Sequence, residues 1–197
     1  MNPVVPWSVT VDMVRAGALD LAAREINAAE LHGSVAELGV YRGDFARLLS
    51  YQFPGRELFL FDTFSGFDPR DASVDERQGD SRFLHDFTRT SSDKVVQALH
   101  GPERARVRQG WFPDSALGLE HEAFCFVSLD VDLYEPTRAG LAWFFPRLTP
   151  GGYIFVHDFA NEHYSGVRRA VTESGVPYVV LPDAGTTAVI AKQQSAM

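Results

Sequence analysis

The stretch Phe124-Cys125-Phe126-Val127-Ser128-Leu129-Asp130-Val131-Asp132 constrains this chain most. It opens as an apolar run of strand-forming residues, the pattern of a strand covered on both faces inside an α/β sheet. It then ends in two carboxylates spaced i, i+2. Residues two apart in an extended chain point to the same side, so Asp130 and Asp132 project together from the end of a central strand. Open α/β sheets bind ligands at the carboxyl ends of their strands. Two like charges held close repel unless a cation or a proton lies between them, so the pair reads as a metal or acid–base site. The plainer alternative makes Asp132 a helix cap and Asp130 a solvated acid, although a cap needs only one acid.

The rest of the chain repeats this grammar. A helix capped by Thr10 is expected to run to about Asn27, with Val11, Val14, Ala18, Leu21 and Ala22 on one face, packed on the sheet or on a second subunit. Ser34 to Leu49 reads as a strand, a glycine turn and a helix, and Glu57 to Asp62 as a second strand ending in an acid. Thr63 to about Thr90 is rich in Asp, Arg, Ser and Gly with little periodicity, and is expected to be a mobile loop over the cofactor or substrate. A helix through about Leu99, a strand from Ala105 to Gln109 and a short helix from Asp114 to Leu119 precede the central strand. A helix to about Leu148 follows it, ending at Pro150-Gly151-Gly152. Tyr153 to Asp158 is a further strand, His163 to Glu173 a helix, and Val176–Leu181 and Thr186–Lys192 a closing antiparallel pair. No linker or internal repeat interrupts the series. The expected organisation is an N-terminal helical segment, 1–33, packed on a single domain, 34–197.

Composition narrows the function. A formal net charge of −8 argues against a nucleic-acid binder. Cys125, the single cysteine, sits within the apolar strand and reads as a buried structural thiol. No apolar run approaches the ~20 residues that span a bilayer, and nothing resembles a signal peptide. The expectation is a cytoplasmic enzyme with no nucleic-acid or membrane partner.

Several candidate site residues follow from the strand ends. Gly39 and Gly43 allow a sharp turn and close ligand approach. Their Glu-x-Gly-x-x-x-Gly spacing is not the dinucleotide fingerprint. An acid at Glu37 would repel a pyrophosphate and suits a ligand carrying a positive group, which favours a sulfonium cofactor over a nicotinamide one. Asp62, ~20 residues past the glycine turn, stands where doubly wound folds hold ribose hydroxyls. Thr63 and Ser65 follow it as expected cofactor contacts. Gly110 and Trp111 end the third strand, where the indole has either a purine ring or the core to pack on. Asp130, His157 and Asp158 would meet if their strands are neighbours. A histidine in that set suits Mn²⁺, Fe²⁺ or Zn²⁺ better than Mg²⁺.

Four segments resemble one family. They are Glu37 to Gly43, Phe61-Asp62-Thr63-Phe64-Ser65-Gly66-Phe67, Leu129 to Thr137 with its Asp-x-Asp-x-Tyr-x-x-Thr run, and Pro150-Gly151-Gly152 through His157-Asp158. Together, over about Val35 to Val171, they resemble the macrocin O-methyltransferases, within the class I S-adenosylmethionine-dependent methyltransferases. The resemblance implies a Rossmann-like doubly wound seven-stranded sheet, mostly parallel with the last strand antiparallel. It implies S-adenosylmethionine held by Glu37, Gly39, Tyr41 and Gly43, with Asp62 on its ribose. It further implies a divalent cation, Mg²⁺ or Mn²⁺, on Asp130 and Asp158, with Asp132 as general base. The acceptor would be a hydroxyl of a small molecule, such as a sugar of a natural product, and the assembly a homodimer. Two departures stand out: His157 replaces a carboxylate common in the family, and the chain is short where relatives carry N-terminal lid segments. The competing expectation is a non-catalytic cofactor-binding or assembly protein on the same fold.

Overall fold

Strand C-termini are brought level across the middle of the sheet, and that alignment makes the site. The computed structural model describes residues 11–80 and 87–194. Its strands are β1 (Ser34–Leu38), β2 (Leu58–Asp62), β3 (Ala105–Gln109), β4 (Phe124–Leu129), β5 (Leu148–Val156), β6 (Val179–Val180) and β7 (Ala188–Ala191). They form one seven-stranded sheet in the order β3-β2-β1-β4-β5-β7-β6. β1 to β5 pair in parallel, and β7 runs antiparallel to both β5 and β6. Leu38 pairs with both Phe61 and Leu129, and Leu129 with Val156. Glu37, Asp62, Asp130 and His157 therefore surround one crevice, between β1 and β4 where the winding reverses direction.

The helices are α1 (Met13–Ala28), α2 (Asp44–Gln52), α3 (Pro69–Gln78), α4 (Ser92–Ala98), α5 (Tyr134–Arg147) and α6 (Ser165–Glu173). Two buried clusters cover the two faces of the sheet. One joins Phe61, Phe112, Phe124, Leu129 and Phe144 with α5 and α6, and the other joins α1 and α2 to Leu60, Phe126 and Phe155. The central strand feeds both. A register shift between Phe124 and Phe126 turns Cys125 and Phe126 to the α1–α2 side, while Phe124 and Val127 face the other. Such a bulge places one extra residue against the neighbouring strand.

Five local expectations are corrected. The first helix is capped by Asp12, whose Oδ1 accepts from Val14 N at 2.7 Å and Arg15 N at 3.3 Å; Thr10 lies outside the described residues. It buries Arg15, Ala16, Leu19, Ala22, Ala23 and Ile26, not the face containing Val14 and Leu21, which are 40% and 63% exposed. In an alanine-rich helix two stripes compete, and the wider one that matches the sheet wins. The 63–90 segment is not simply a loop: Asp68 caps α3 by accepting from Arg70 N, and Gly79 ends it in the left-handed conformation. α3 is tied down from both ends. The fully buried Asp75 carboxylate accepts Tyr134 N at 3.1 and 3.2 Å, which caps α5 from outside, and Asp80 pairs with Arg169 of α6. Finally, the helix expected at Asp114–Leu119 is a single 3₁₀ turn, Asp114–Ala116, and β6 keeps only Val179–Val180 of its expected length.

Candidate active site

Strand ends and the turns that follow them enclose a cavity of about 500 Å³, lined by Arg15, Glu37, Gly39, Tyr41, Asp62, Thr63, Asp71, Gly110, Trp111, Asp130, Asp132, His157 and Asp158. Its volume is that of a small-molecule site. Gly39, at φ +87°, makes the closest backbone approach: a Cβ there would lie 2.0 Å from the Asp130 carbonyl oxygen. Asp62 secures the turn. Its Oδ2 accepts Val40 N at 2.7 Å and Tyr41 N at 2.8 Å, and its Oδ1 accepts Phe64 N at 2.6 Å. A carboxylate offers about four acceptor sites, so roughly one is left for a ligand hydroxyl. Tyr41 itself sits at φ +49°, an uncommon conformation for a bulky residue, held where Thr90 Oγ1 donates to its carbonyl.

Glu37 is 1% exposed, and its Oε2 has no partner among the described residues. Burial raises its carboxyl well above the usual range, reinforced by the charge of Asp130 and opposed by Arg15. An unsatisfied buried acceptor is costly, so this oxygen is set to receive a donor or a cation from a bound molecule. An ammonium group meets that requirement. The residues at this end of the crevice fit S-adenosylmethionine, which carries one.

The acids of β4 and β5 form a single cluster. His157 Nδ1 lies 3.1 Å from Asp130 Oδ1 and 2.8 Å from Asp158 Oδ2, and its Nε2 lies 3.9 Å from Asp183 Oδ2. Gly185 backs the imidazole, where a Cβ would come within 2.3 Å of the ring. Arg15 of α1, 5% exposed, donates to Asp130 Oδ2 at 2.9 Å and to Ser128 Oγ at 3.0 Å, with its guanidinium 4.0 Å from the Phe45 ring centroid. Burial alone would raise Asp130, but the charges and hydrogen bonds of His157 and Arg15 hold it well below the usual carboxylate range. Burial alone would lower His157, yet Asp130 and its two carboxylate hydrogen bonds push it up to about 10. Asp132 goes the other way: burial and the nearby Asp158 and Asp130 raise it well above the ordinary value, and it shares a hydrogen bond with Asp158. Asp132 and Asp158 both hold left-handed backbone, at φ +60° and +59°, the kind of strained position that gathers at functional sites.

One ligand atom from each of Asp130, His157 and Asp158 falls within 4.8 Å of the others, and the donor types are ones a transition-metal ion accepts. As folded, however, one of these carboxylates already has a cationic partner. His157 Nδ1 lies between two carboxylate oxygens, and Asp130 Oδ2 is engaged by Arg15.

Trp111 closes the cavity from β3. Its indole Nε1 donates to Asp71 Oδ2 at 3.0 Å and Arg70 stacks on the ring at 4.0 Å, while Phe112 enters the core. Burial raises Asp71 to about 6 against the lowering effect of the indole N–H. Gly43 and Ser65 do not line the cavity: Gly43 caps α2 against Val95, and Ser65 donates its N–H to Thr63 Oγ1. Cys125 is buried, with its thiol pushed up to about 11, and stands away from the chemistry. Sequence reasoning missed Arg15, Asp71 and Asp183. An arginine in the first turn of α1, on the face that buries Ala16, Leu19 and Ala22, was the available signal for the first, and Asp183 had none beyond its turn.

Comparison with known proteins gives a family and a fold. A family model described as macrocin-O-methyltransferase (TylF) matches residues 4–175. The 8-demethyl-8-(2,3-dimethoxy-alpha-L-rhamnosyl)-tetracenomycin-C 4'-O-methyltransferase of Streptomyces olivaceus is 28% identical over 76% of this chain and 62% of its own length. The mycinamicin III 3''-O-methyltransferase of Micromonospora griseorubida is 30% identical over 64% and 55%. The chain thus spans less than two thirds of these relatives. Among solved structures, the O-methyltransferase NovP superposes with a TM-score of 0.74 at 18% identity, covering 92% of this chain and 81% of its own. The calicheamicin methyltransferase CalS11 gives 0.71 at 22%, covering 91% and 79%. Both show the same fold.

Proposed function

Because the chain belongs to the macrocin-O-methyltransferase family, we propose that it is an S-adenosylmethionine-dependent O-methyltransferase. Its acceptor is a hydroxyl on a sugar of a glycosylated natural product, as the rhamnosyl group in the name of the Streptomyces olivaceus relative suggests. The observation that carries the proposal is the buried Glu37, whose Oε2 has no partner among the described residues, lining the same cavity as the Asp130–Asp132–His157–Asp158 cluster. S-adenosylmethionine, when bound, supplies an electrophilic methyl group.

The chain's own residues do the remainder. Glu37 binds the ammonium of the donor, Asp62 takes a ribose hydroxyl with its remaining acceptor site, and Tyr41 and Thr63 wall that end of the cavity. Trp111 offers an aromatic face to the purine, held at a fixed angle by Asp71. Asp132 accepts the hydroxyl proton of the acceptor. Its raised carboxyl is a stronger base once ionised, and a positive charge arriving in the cavity favours the ionised form. Asp130 positions His157. The divalent cation expected at Asp130, His157 and Asp158 has no step here, since Arg15 already engages Asp130 Oδ2. We further propose that residues 1–33 form a helical segment packed on the 34–197 domain, that the protein is cytoplasmic, and that it pairs as a homodimer through the exposed Met13, Val14 and Leu21 of α1. No helix among the described residues is long and apolar enough to cross a membrane.

Calorimetric titration with S-adenosylmethionine, and separately with NADH, tests the cofactor. Labelled methyl transfer to a panel of glycosylated acceptors tests the reaction. Asp132→Asn is expected to abolish transfer while cofactor affinity stays within a few-fold. Absence of cofactor binding would refute the proposal, and binding without transfer to any acceptor would favour a cofactor-binding scaffold.

A further inference from the structure

We propose that Arg15 is the site's built-in cation: its guanidinium balances Asp130 where a divalent metal would sit, and the cluster becomes a metal site only when Arg15 is removed. The side chain arrives from α1, 115 residues away from its partner in sequence, and is held on three sides. Asp130 Oδ2 lies at 2.9 Å, Ser128 Oγ at 3.0 Å and the face of Phe45 at 4.0 Å. It is 5% exposed, so these contacts define its position.

A guanidinium in this position is a permanent charge. It does not deprotonate in a protein, so a dication cannot displace it by taking a proton, as it can with a histidine or a thiol. It could yield only by moving, which would leave one buried charge without its partner and strip the Phe45 face. Removing one member of a buried pair is strongly unfavourable. A dication arriving at Asp130 Oδ1, the oxygen that faces His157, would meet the guanidinium's like charge across the same carboxylate in a shielded setting, where repulsion is far stronger than in water. Ser128 contributes the specificity. Its hydroxyl on β4 gives the planar fork a second acceptor beside the carboxylate, an arrangement that suits Arg and not Lys.

The consequence for turnover, methyl transfer that survives chelation, rests on the methyltransferase reading. Metal binding does not, so the two can fail separately. The full chain, stripped of metal, is titrated with MnCl₂ by calorimetry as wild type, Arg15→Gln and Arg15→Gln/Asp130→Asn, and its thermal unfolding is followed with and without millimolar MnCl₂. Wild type is expected to show no saturable binding and no shift in Tm. Arg15→Gln is expected to show saturable one-to-one Mn²⁺ binding, with a Tm raised by the metal, and the double variant to lose both. If Arg15→Gln unfolds without metal, Mn²⁺ is expected to restore the folded state. Saturable one-to-one binding to wild type that Asp130→Asn removes would overturn the proposal. So would an Arg15→Gln protein that gains no affinity, or one that stays unfolded in Mn²⁺.

Discussion

Asp71 offers a stability prediction whose size changes with pH. The residue sits in the first turn of α3, nearly buried, with its carboxylate accepting the Trp111 indole N–H at 3.0 Å. Burial raises it from 3.8 to about 6, with Asp68 and Glu135 adding to the shift and Trp111 and Arg70 opposing it. A carboxyl raised on folding contributes stability that is fully present below its unfolded pKa and is lost as pH rises through the folded one. The window here runs from about pH 4 to about pH 6. Two units correspond to a ceiling of roughly 3 kcal/mol. Water in the open cavity screens the group, which leaves on the order of 1–2 kcal/mol. In Asp71→Asn the amide oxygen accepts the same indole N–H without the charge. The variant is therefore expected to be about 1–2 kcal/mol more stable than wild type at about pH 8, with the difference shrinking towards zero near pH 4. Urea unfolding of both proteins across that range measures it. An offset that does not change with pH, or a variant less stable at high pH, would refute the idea that buried charge is being relieved.

Two further predictions concern the crevice itself. Gly39→Ala places a Cβ 2.0 Å from the Asp130 carbonyl at φ +87°; left-handed strain and overpacking together should cost about 2–5 kcal/mol in urea unfolding, and a loss under about 1 kcal/mol would show that the β1 and β4 ends are free to part. Glu37, raised by burial, must ionise to pair with an ammonium, so S-adenosylmethionine binding should release up to about one proton. Binding enthalpies measured in phosphate and in Tris should differ accordingly, and Glu37→Gln should remove the difference while weakening affinity; identical enthalpies for wild type in the two buffers would count against the pairing.

The strands and the acids at their ends were legible because each is a local matter. A run such as Phe124 to Leu129 declares burial on both faces by its own composition, and an acid after the run marks the strand's end whatever lies beside it. Glu37, Asp62, Asp130, Asp132, His157 and Asp158 could all be read that way, and so could the order of α and β elements. Three features had no local signature. Val14 and Leu21 belong to an apolar stripe as plausible as the one α1 buries, and only the shape of the sheet beneath chose between them. Asp71, Asp75 and Asp80 look like solvated charges in a polar segment, yet Asp75 finds the N-terminus of α5 and Asp80 finds Arg169, and those meetings hold α3 in place. Arg15 meets Asp130 only because the sheet places β4 beside β1 and α1 packs across that pair. Periodicity reports which way a side chain faces from its own backbone. Which charge it meets depends on strand order and helix docking, and those are settled only when distant parts of the chain pack together.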